Sequence, residues 1–273
     1  MNTLSPSTLS SGVARLGREY FSSYASLVNS SSYASADGGQ KSFPGFDVGS
    51  SFAGIGDRVR DTVKVHGACL VHTGTRQYSE VLEEQEFIFG KSLPDSTGAS
   101  VSRIAVSPGR KYYAGSSVGQ PMHSDDAHLV SPPRLISLYC EKQSKHGGIT
   151  TLAGIGSHLE SVRSRIPEAC FAEDAITILG SAGALQRPLV VEADRPLCAF
   201  PSILMEASGA PEVIEVYREL MEWCHMPQNQ TRLRLAPGDL LFIDNFRVLH
   251  GRTQFPAAEP RTLLRACFGG VGL

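Results

Sequence analysis

Between residues 101 and 268 the chain is written mostly as short apolar runs set between turn residues: 101–106, 120–126, 134–141, 148–153, 231–236, 239–244 and 261–268. Runs of that length bounded by Gly, Pro, Asn or Asp read as strands, as does the stretch Gly67 to Val71 further upstream. They do not alternate with helices in the regular way that a doubly wound parallel sheet requires. Helical spacing is confined to 54–65, to 77–89 with a stop at Gly90, to about 156–165, and to 211–225, where Pro211 stands early in the first turn. The pattern therefore predicts a mostly β fold with flanking helices, a sandwich or jelly roll.

Length and charge narrow the function classes. At 273 residues with no internal repeat or change of composition, the chain reads as one domain, 1–273. Residues 1–51 form its N-terminal helix and Ser/Gly-rich arm. With 25 Lys+Arg against 27 Asp+Glu, it offers no basic face to a nucleic acid. No apolar run is long enough to span a bilayer. Cys69, Cys140, Cys170, Cys198, Cys224 and Cys267 are scattered without a CxxC pair. They read as buried thiols of a reducing compartment, the cytoplasm, and the N-terminus lacks the apolar core of a secretory signal.

The polar residues concentrate in two places far apart in sequence. The first is Pro121-Met122-His123-Ser124-Asp125-Asp126. On a strand, His123 and Asp125 project to the same face, and an imidazole beside a carboxylate is two-thirds of a facial triad for non-haem Fe(II). The second is an apolar run into a polar turn, Gly238 to Asn245, that delivers His250-Gly251-Arg252 and then Arg261 and Arg265. Alone, an HxD is a common accident.

Together these segments resemble the Fe(II)- and 2-oxoglutarate-dependent dioxygenases of the taurine dioxygenase and clavaminate synthase group, over about 54–268. His123 and Asp125 stand at that group's HxD, and His250 at its distal histidine. Thr150, 27 residues after His123, matches its threonine that contacts 2-oxoglutarate. Arg261, eleven residues after His250, matches the arginine that grips the distal carboxylate. The run Pro133 to Cys140 matches its second core strand. The resemblance implies a double-stranded β-helix (a cupin-like jelly roll) holding Fe(II) with His123, Asp125 and His250, and 2-oxoglutarate with Thr150 and Arg261. It implies O2-dependent oxidation of a small-molecule substrate, with succinate and CO2 as coproducts. A carboxylate at 125 disfavours halogenation.

Arginine suits the carboxylate role because its planar fork donates two parallel hydrogen bonds. On a strand Arg261, Leu263 and Arg265 share a face. Arg265 is then free for an acidic group on the substrate, or pairs with a buried acid. A small, anionic, amino-acid-derived substrate follows, with hydroxylation, desaturation, cyclisation and epoxidation all open, and so is the oligomeric state. Gly115 to Gly119 fits a G-x-S-x-G elbow, but Pro121 and the HxD strand stand where that motif needs a helix. We read it as a loop at the mouth of the site, with Tyr112 and Ser116 as candidate substrate contacts. A non-catalytic metal-binding jelly roll and a zinc hydrolase on the same ligands are the rival readings. His128 reads as a rim residue, because a fourth ligand would block the open positions.

Overall fold

The structure, a computed structural model, describes residues 13–16, 23–24, 26–30, 45–47, 53–74, 76–95, 97–107, 115–180, 183–192, 196–198, 206–270 and 273. Strands β1 (Ala14–Leu16) and β2 (Gly45–Asp47) precede helix α1 (Gly56–His66), strand β3 (Ala68–His72) and helix α2 (Tyr78–Phe89). Strands β4 (Ser92–Leu93), β5 (Ser102–Ala105), β6 (Gln120–His123), β7 (Leu135–Lys142) and β8 (Thr150–Ala153) lead to helix α3 (Ile155–Val162). Next come β9 (Ile176–Gly180), β10 (Gly183–Arg187), β11 (Val190–Glu192), β12 (Pro196–Cys198) and β13 (Glu206–Gly209), then helix α4 (Pro211–His225). The chain closes with β14 (Thr231–Leu233), β15 (Asp239–Asp244), β16 (Leu249–Arg252) and β17 (Thr262–Phe268).

Two sheets form the jelly roll. The larger runs β2-β3-β15-β7-β17-β4, with β5 also on β17; the smaller runs β14-β8-β16-β6. Period-two alternation divides the larger sheet cleanly. Leu240, Phe242, Leu135, Tyr139, Leu264, Ala266 and Phe268 point outward under Val59 and Val63 of α1 and Val81, Ile88 and Phe89 of α2. Leu241, Ile243, Ile136, Leu138, Cys140 and Leu263 point inward, where Leu152 of β8 meets them. The smaller sheet turns its other side, with Met122, Ala153 and Leu249, onto a core built with α4. All six residues of β15 are buried because both of its faces are covered.

Helices α1 and α2 fall where the periodicity places them, and α2 does end at Gly90. Helix α3 stops at Val162 and continues as a 3-10 turn over Arg163–Arg165. Two differences are instructive. Within the region expected to be a helix and loose arm, Ala14–Leu16 is a strand paired with β13, in a separate sheet of order β1-β13-β9-β10, and Leu16 is buried. Three residues are too few for a period to show. The second difference is β6, which ends at His123 and not at residue 126. Asp126 adopts a left-handed φ of 55°, which breaks the pleat.

Cys69, Cys140, Cys170, Cys224 and Cys267 are free thiols. Burial pushes Cys69, Cys140 and Cys267 up to about 12. Among the described residues no helix is long and apolar enough to cross a membrane.

Candidate functional site

The two inner faces meet in a cleft lined by His123, Asp125, Thr150, His250, Arg261 and Arg265. Register decides which side chains reach it. His250 on β16 pairs directly with His123 on β6, and Arg252 pairs with Thr150 on β8. Since Met122 and Leu249 face the α4 core, alternation turns His123, His250 and Arg252 the other way, into the cleft. From the opposite sheet Arg261, Leu263 and Arg265 line the same space. The shared face expected for these three is what the structure holds.

His123 Nε2 lies 3.4 Å from Asp125 Oδ1, and His250 Nε2 lies 3.6 Å from the same oxygen. The three residues each bring one donor atom within 4.8 Å of the others, and they are the one such cluster among the described residues. Donors set about 2.1 Å from a common ion at right angles stand about 3 Å apart, so this spacing suits one shared cation. His123 Nδ1 donates to Pro121 O at 2.9 Å, which fixes the tautomer and leaves the Nε2 lone pair for the cleft. That lone pair accepts from Gln120 Nε2 at 2.9 Å, a bond a bound cation would displace.

The i, i+2 rule is not what places Asp125 here. It lies past the end of β6, in a turn whose backbone is held from the β15–β16 connection: Asn245 Oδ1 accepts from Asp125 N at 2.7 Å. Its carboxylate is set by Arg265, whose Nη1 donates to Asp125 Oδ2 at 2.7 Å. Burial alone would push the Asp125 carboxyl up; the Arg265 guanidinium and the His250 imidazole outweigh it and hold it well below the usual carboxylate range. Arg265 thus has a protein acid as partner. Asp126, half-buried and beside Asp125, has its carboxyl raised by burial and by that neighbour's charge.

Deeper in the cleft sits a second set of groups with unmet hydrogen-bonding capacity. Thr150 is buried and its Oγ1 has no partner among the described residues. Arg261, also buried, spends Nε on Gln143 Oε1 and Gly148 O, both at 3.2 Å. Its two terminal nitrogens bond to no described residue. Burial lowers its pKa to about 10, the signature of a guanidinium without a carboxylate beside it. Arg252, lowered by burial to about 9, donates instead to Ser116 O and Val118 O, tying the 115–118 loop to β16. A buried cation is costly unless paired. The arrangement therefore fits a small dianion such as 2-oxoglutarate, with one carboxylate on Arg261.

Of the remaining candidates, Ser116 is buried and meets Arg252 through its carbonyl, whereas Tyr112 lies outside the described residues. Residues 116–119 form no helix and run into β6, so the G-x-S-x-G pattern builds no nucleophile elbow. His128 stands outside the donor cluster. Sequence reasoning missed Gln120 and Gln143, and it read Asn245 only as the end of a polar turn. Period two would turn Gln120, three positions before His123, to the opposite face, so alternation could not find it; a register shift lies between their partners on β16.

Residues 189–267 match the model of the "Taurine catabolism dioxygenase TauD, TfdA family". The chain is 28% identical over 165 residues to the taurine hydroxylase-like protein SAT17 of Stachybotrys chartarum, covering 53% of this chain and 40% of that one. It is 26% identical over 178 residues to the L-asparagine oxygenase of Streptomyces coelicolor, covering 61% and 52%. The chain thus spans about half the length of the curated relatives it matches. Its fold is shared with the non-heme iron oxygenase OrfP, solved with Fe and alpha-ketoglutaric acid: TM-score 0.66 at 16% identity, over 83% of this chain and 94% of OrfP. Over its C-terminal third the chain is thus similar to the taurine catabolism dioxygenase TauD, TfdA family, and its jelly roll is the fold of OrfP.

Proposed function

We propose that this chain is an Fe(II)- and 2-oxoglutarate-dependent oxygenase acting on a small anionic, amino-acid-derived metabolite in the cytoplasm. The observation that carries the reading is the convergence of His123 Nε2, Asp125 Oδ1 and His250 Nε2 in one cleft with Arg261, whose terminal nitrogens bond to no described residue. In this reading His123, Asp125 and His250 would hold the iron, which with three protein ligands would still have positions for the keto acid and O2. Arg261 grips the far carboxylate of 2-oxoglutarate with its fork, and Thr150 Oγ1 donates the supporting hydrogen bond. When bound, the iron supplies the oxidative decarboxylation of the keto acid to succinate and CO2 that drives substrate oxidation.

The chain's own residues prepare that chemistry. Arg265 keeps Asp125 ionised and turned so that Oδ1 faces the two imidazoles. Leu138, Leu263 and Ile104 line the cleft with apolar surface, which excludes water from the reacting groups. Arg265 Nη2, bonded to no described residue, is placed to donate to an acidic group on the substrate. Ser116 stands on the loop that Arg252 anchors, and it and Tyr112 are the candidate substrate contacts on this segment. An amino-acid-like substrate accords with two relatives: one is an L-asparagine oxygenase, and a structure of OrfP holds Fe, succinate and (3S)-hydroxy-L-Arg. A zinc hydrolase could use the same three donors, but it would leave Thr150 and Arg261 without a task.

The test is succinate release across a panel of amino acids and their derivatives. Substrate-stimulated succinate is expected only when Fe(II), 2-oxoglutarate and O2 are all present, and its loss is expected in His123→Ala and in His250→Ala. Undiminished turnover in either variant would overturn the reading.

A further inference from the structure

We propose that Asn245 is a positioning residue for the metal carboxylate, Asp125, acting from the opposite sheet's connection through the Asp125 backbone. The inference rests on the reading of His123, Asp125 and His250 as a metal site. Asn245 is completely buried, and its side-chain amide uses its full donor capacity. Oδ1 accepts from Asp125 N at 2.7 Å, while Nδ2 donates to Asp125 O and to Pro133 O, both at 2.9 Å.

The need for this grip follows from where β6 stops. His123 is the last residue with a ladder partner, and Asp126 turns left-handed at φ 55°. Asp125 therefore sits between a finished strand and a reversed turn, buried, with a backbone N–H and C=O that no strand pairs. A buried peptide group left unpaired costs about 1–3 kcal/mol per group. The Asn245 amide supplies both bonds, as a neighbouring strand residue would, and so fixes the point from which the Asp125 side chain reaches the imidazoles. The turn that carries Asn245 does not need that side chain. Asp244 builds it, accepting from Phe246 N with Oδ1 at 3.2 Å and from Val248 N with its carbonyl at 2.9 Å. The Asn245 side chain is directed 120 residues away in the sequence, to the Asp125 backbone.

With Arg265 holding Oδ2, Asp125 is gripped at both ends: its backbone by Asn245, its carboxylate by Arg265. Removing the backbone grip frees the carboxylate to drift while Arg265 still pairs with it. Metal affinity should suffer more than fold stability does. Groups that orient a ligand in this way are worth about 10- to 100-fold in metal affinity.

The probe is Co(II), added anaerobically to the metal-free full chain and followed by its visible d–d band and by calorimetry, with thermal unfolding of the metal-free protein alongside. Asn245→Ala is expected to weaken Co(II) binding at least tenfold and to alter the d–d band. Gln230→Ala removes another buried amide, one that donates to Cys224 O at 2.9 Å away from the cleft; it should lower the unfolding temperature but keep Co(II) binding within twofold of the parent. Asn245→Asp keeps the acceptor for Asp125 N and loses the donors, so it serves if the Ala variant does not fold, with a loss of at least tenfold again expected. A folded Asn245 variant that binds Co(II) within twofold of the parent overturns the proposal. His123→Ala separates the two readings: if it abolishes Co(II) binding while the Asn245 variants do not weaken it, the metal site stands and the role of Asn245 falls. If the parent chain binds no Co(II), both fall.

Discussion

Arg265 Nη1 donates to Asp125 Oδ2 at 2.7 Å, joining two side chains 140 residues apart from facing walls of the jelly roll. The bond occupies one carboxylate oxygen and leaves the other at 3.4 and 3.6 Å from the His123 and His250 Nε2 atoms. Both partners are largely withdrawn from water, which makes the pair interdependent. Removing either one strands the other as an uncompensated buried charge, at about 3–5 kcal/mol. Asp125→Ala and Arg265→Met should each destabilise the metal-free protein by that amount, and the double variant should cost no more than either single one. Urea unfolding of the four proteins measures the coupling; strictly additive losses would show that the two charges do not depend on each other.

Arg261 should act on the cosubstrate alone. Its Nε is taken by Gln143 and Gly148, so the guanidinium is aimed before anything binds, and no carboxylate of a described residue competes for its fork. Arg261→Ala should raise the 2-oxoglutarate concentration for half-maximal rate by about 30- to several thousand-fold, equivalent to about 2–5 kcal/mol. The rate at saturation should fall far less. Arg261→Lys, which keeps the charge and loses the fork, should lie between. A titration of 2-oxoglutarate against succinate release reads both parameters.

The glycine pair ahead of Thr150 has two separable tasks. Both residues have positive φ, 68° at Gly147 and 63° at Gly148. A Cβ at Gly147 would stand 2.0 Å from the Gln254 backbone oxygen, whereas one at Gly148 would meet Arg261 Cδ and Nε at 3.0 and 3.1 Å. Gly147→Ala should therefore damage the fold, seen as a large drop in unfolding temperature. Gly148→Ala costs about 1–2 kcal/mol for its left-handed backbone and displaces Arg261. Its mark should be a raised 2-oxoglutarate requirement in a protein that still folds.

The legibility of this chain follows from how far each signal reaches. β15 and β17 show themselves because an apolar run of six or seven residues between turn signals has few other uses. The shared face of Arg261 and Arg265 was readable from spacing, since alternation carries a known face two residues at a time, whereas His250 was placed by the resemblance and the direction of Arg252 stayed open. What escaped depends on contacts across the chain. Strand β16 is only four residues, Leu249–Arg252, and two of them are polar because they serve the cleft, so it lacks the hydrophobic pattern of a strand. Asp125 was expected beside His123 through strand alternation; it is there because Asn245 and Arg265 hold it, and neither bond leaves a trace in the local sequence. The partner of Arg265 was undecidable for the same reason: any acid brought across the sandwich would have served.

His225 gives the fold a defined pH sensitivity. It is the last residue of α4, buried, with Nδ1 donating to Met221 O at 2.8 Å and Nε2 accepting from Met122 N at 3.1 Å. The bond accepted from Met122 N requires the neutral ring, and burial depresses the His225 pKa from 6.5 to about 4. As pH falls below 6.5 the unfolded chain takes up a proton that the folded chain refuses, so stability declines by about 1.4 kcal/mol per pH unit. The decline ends near pH 4, after a loss of roughly 3 kcal/mol, and His225 contributes no slope above 6.5. His225→Gln can keep an acceptor for Met122 N and a donor for Met221 O without ionising. Urea midpoints of the metal-free proteins between pH 4 and 8 should show a shallower fall in the variant within that window and parallel curves above it. Identical slopes throughout would assign the acid sensitivity to other groups.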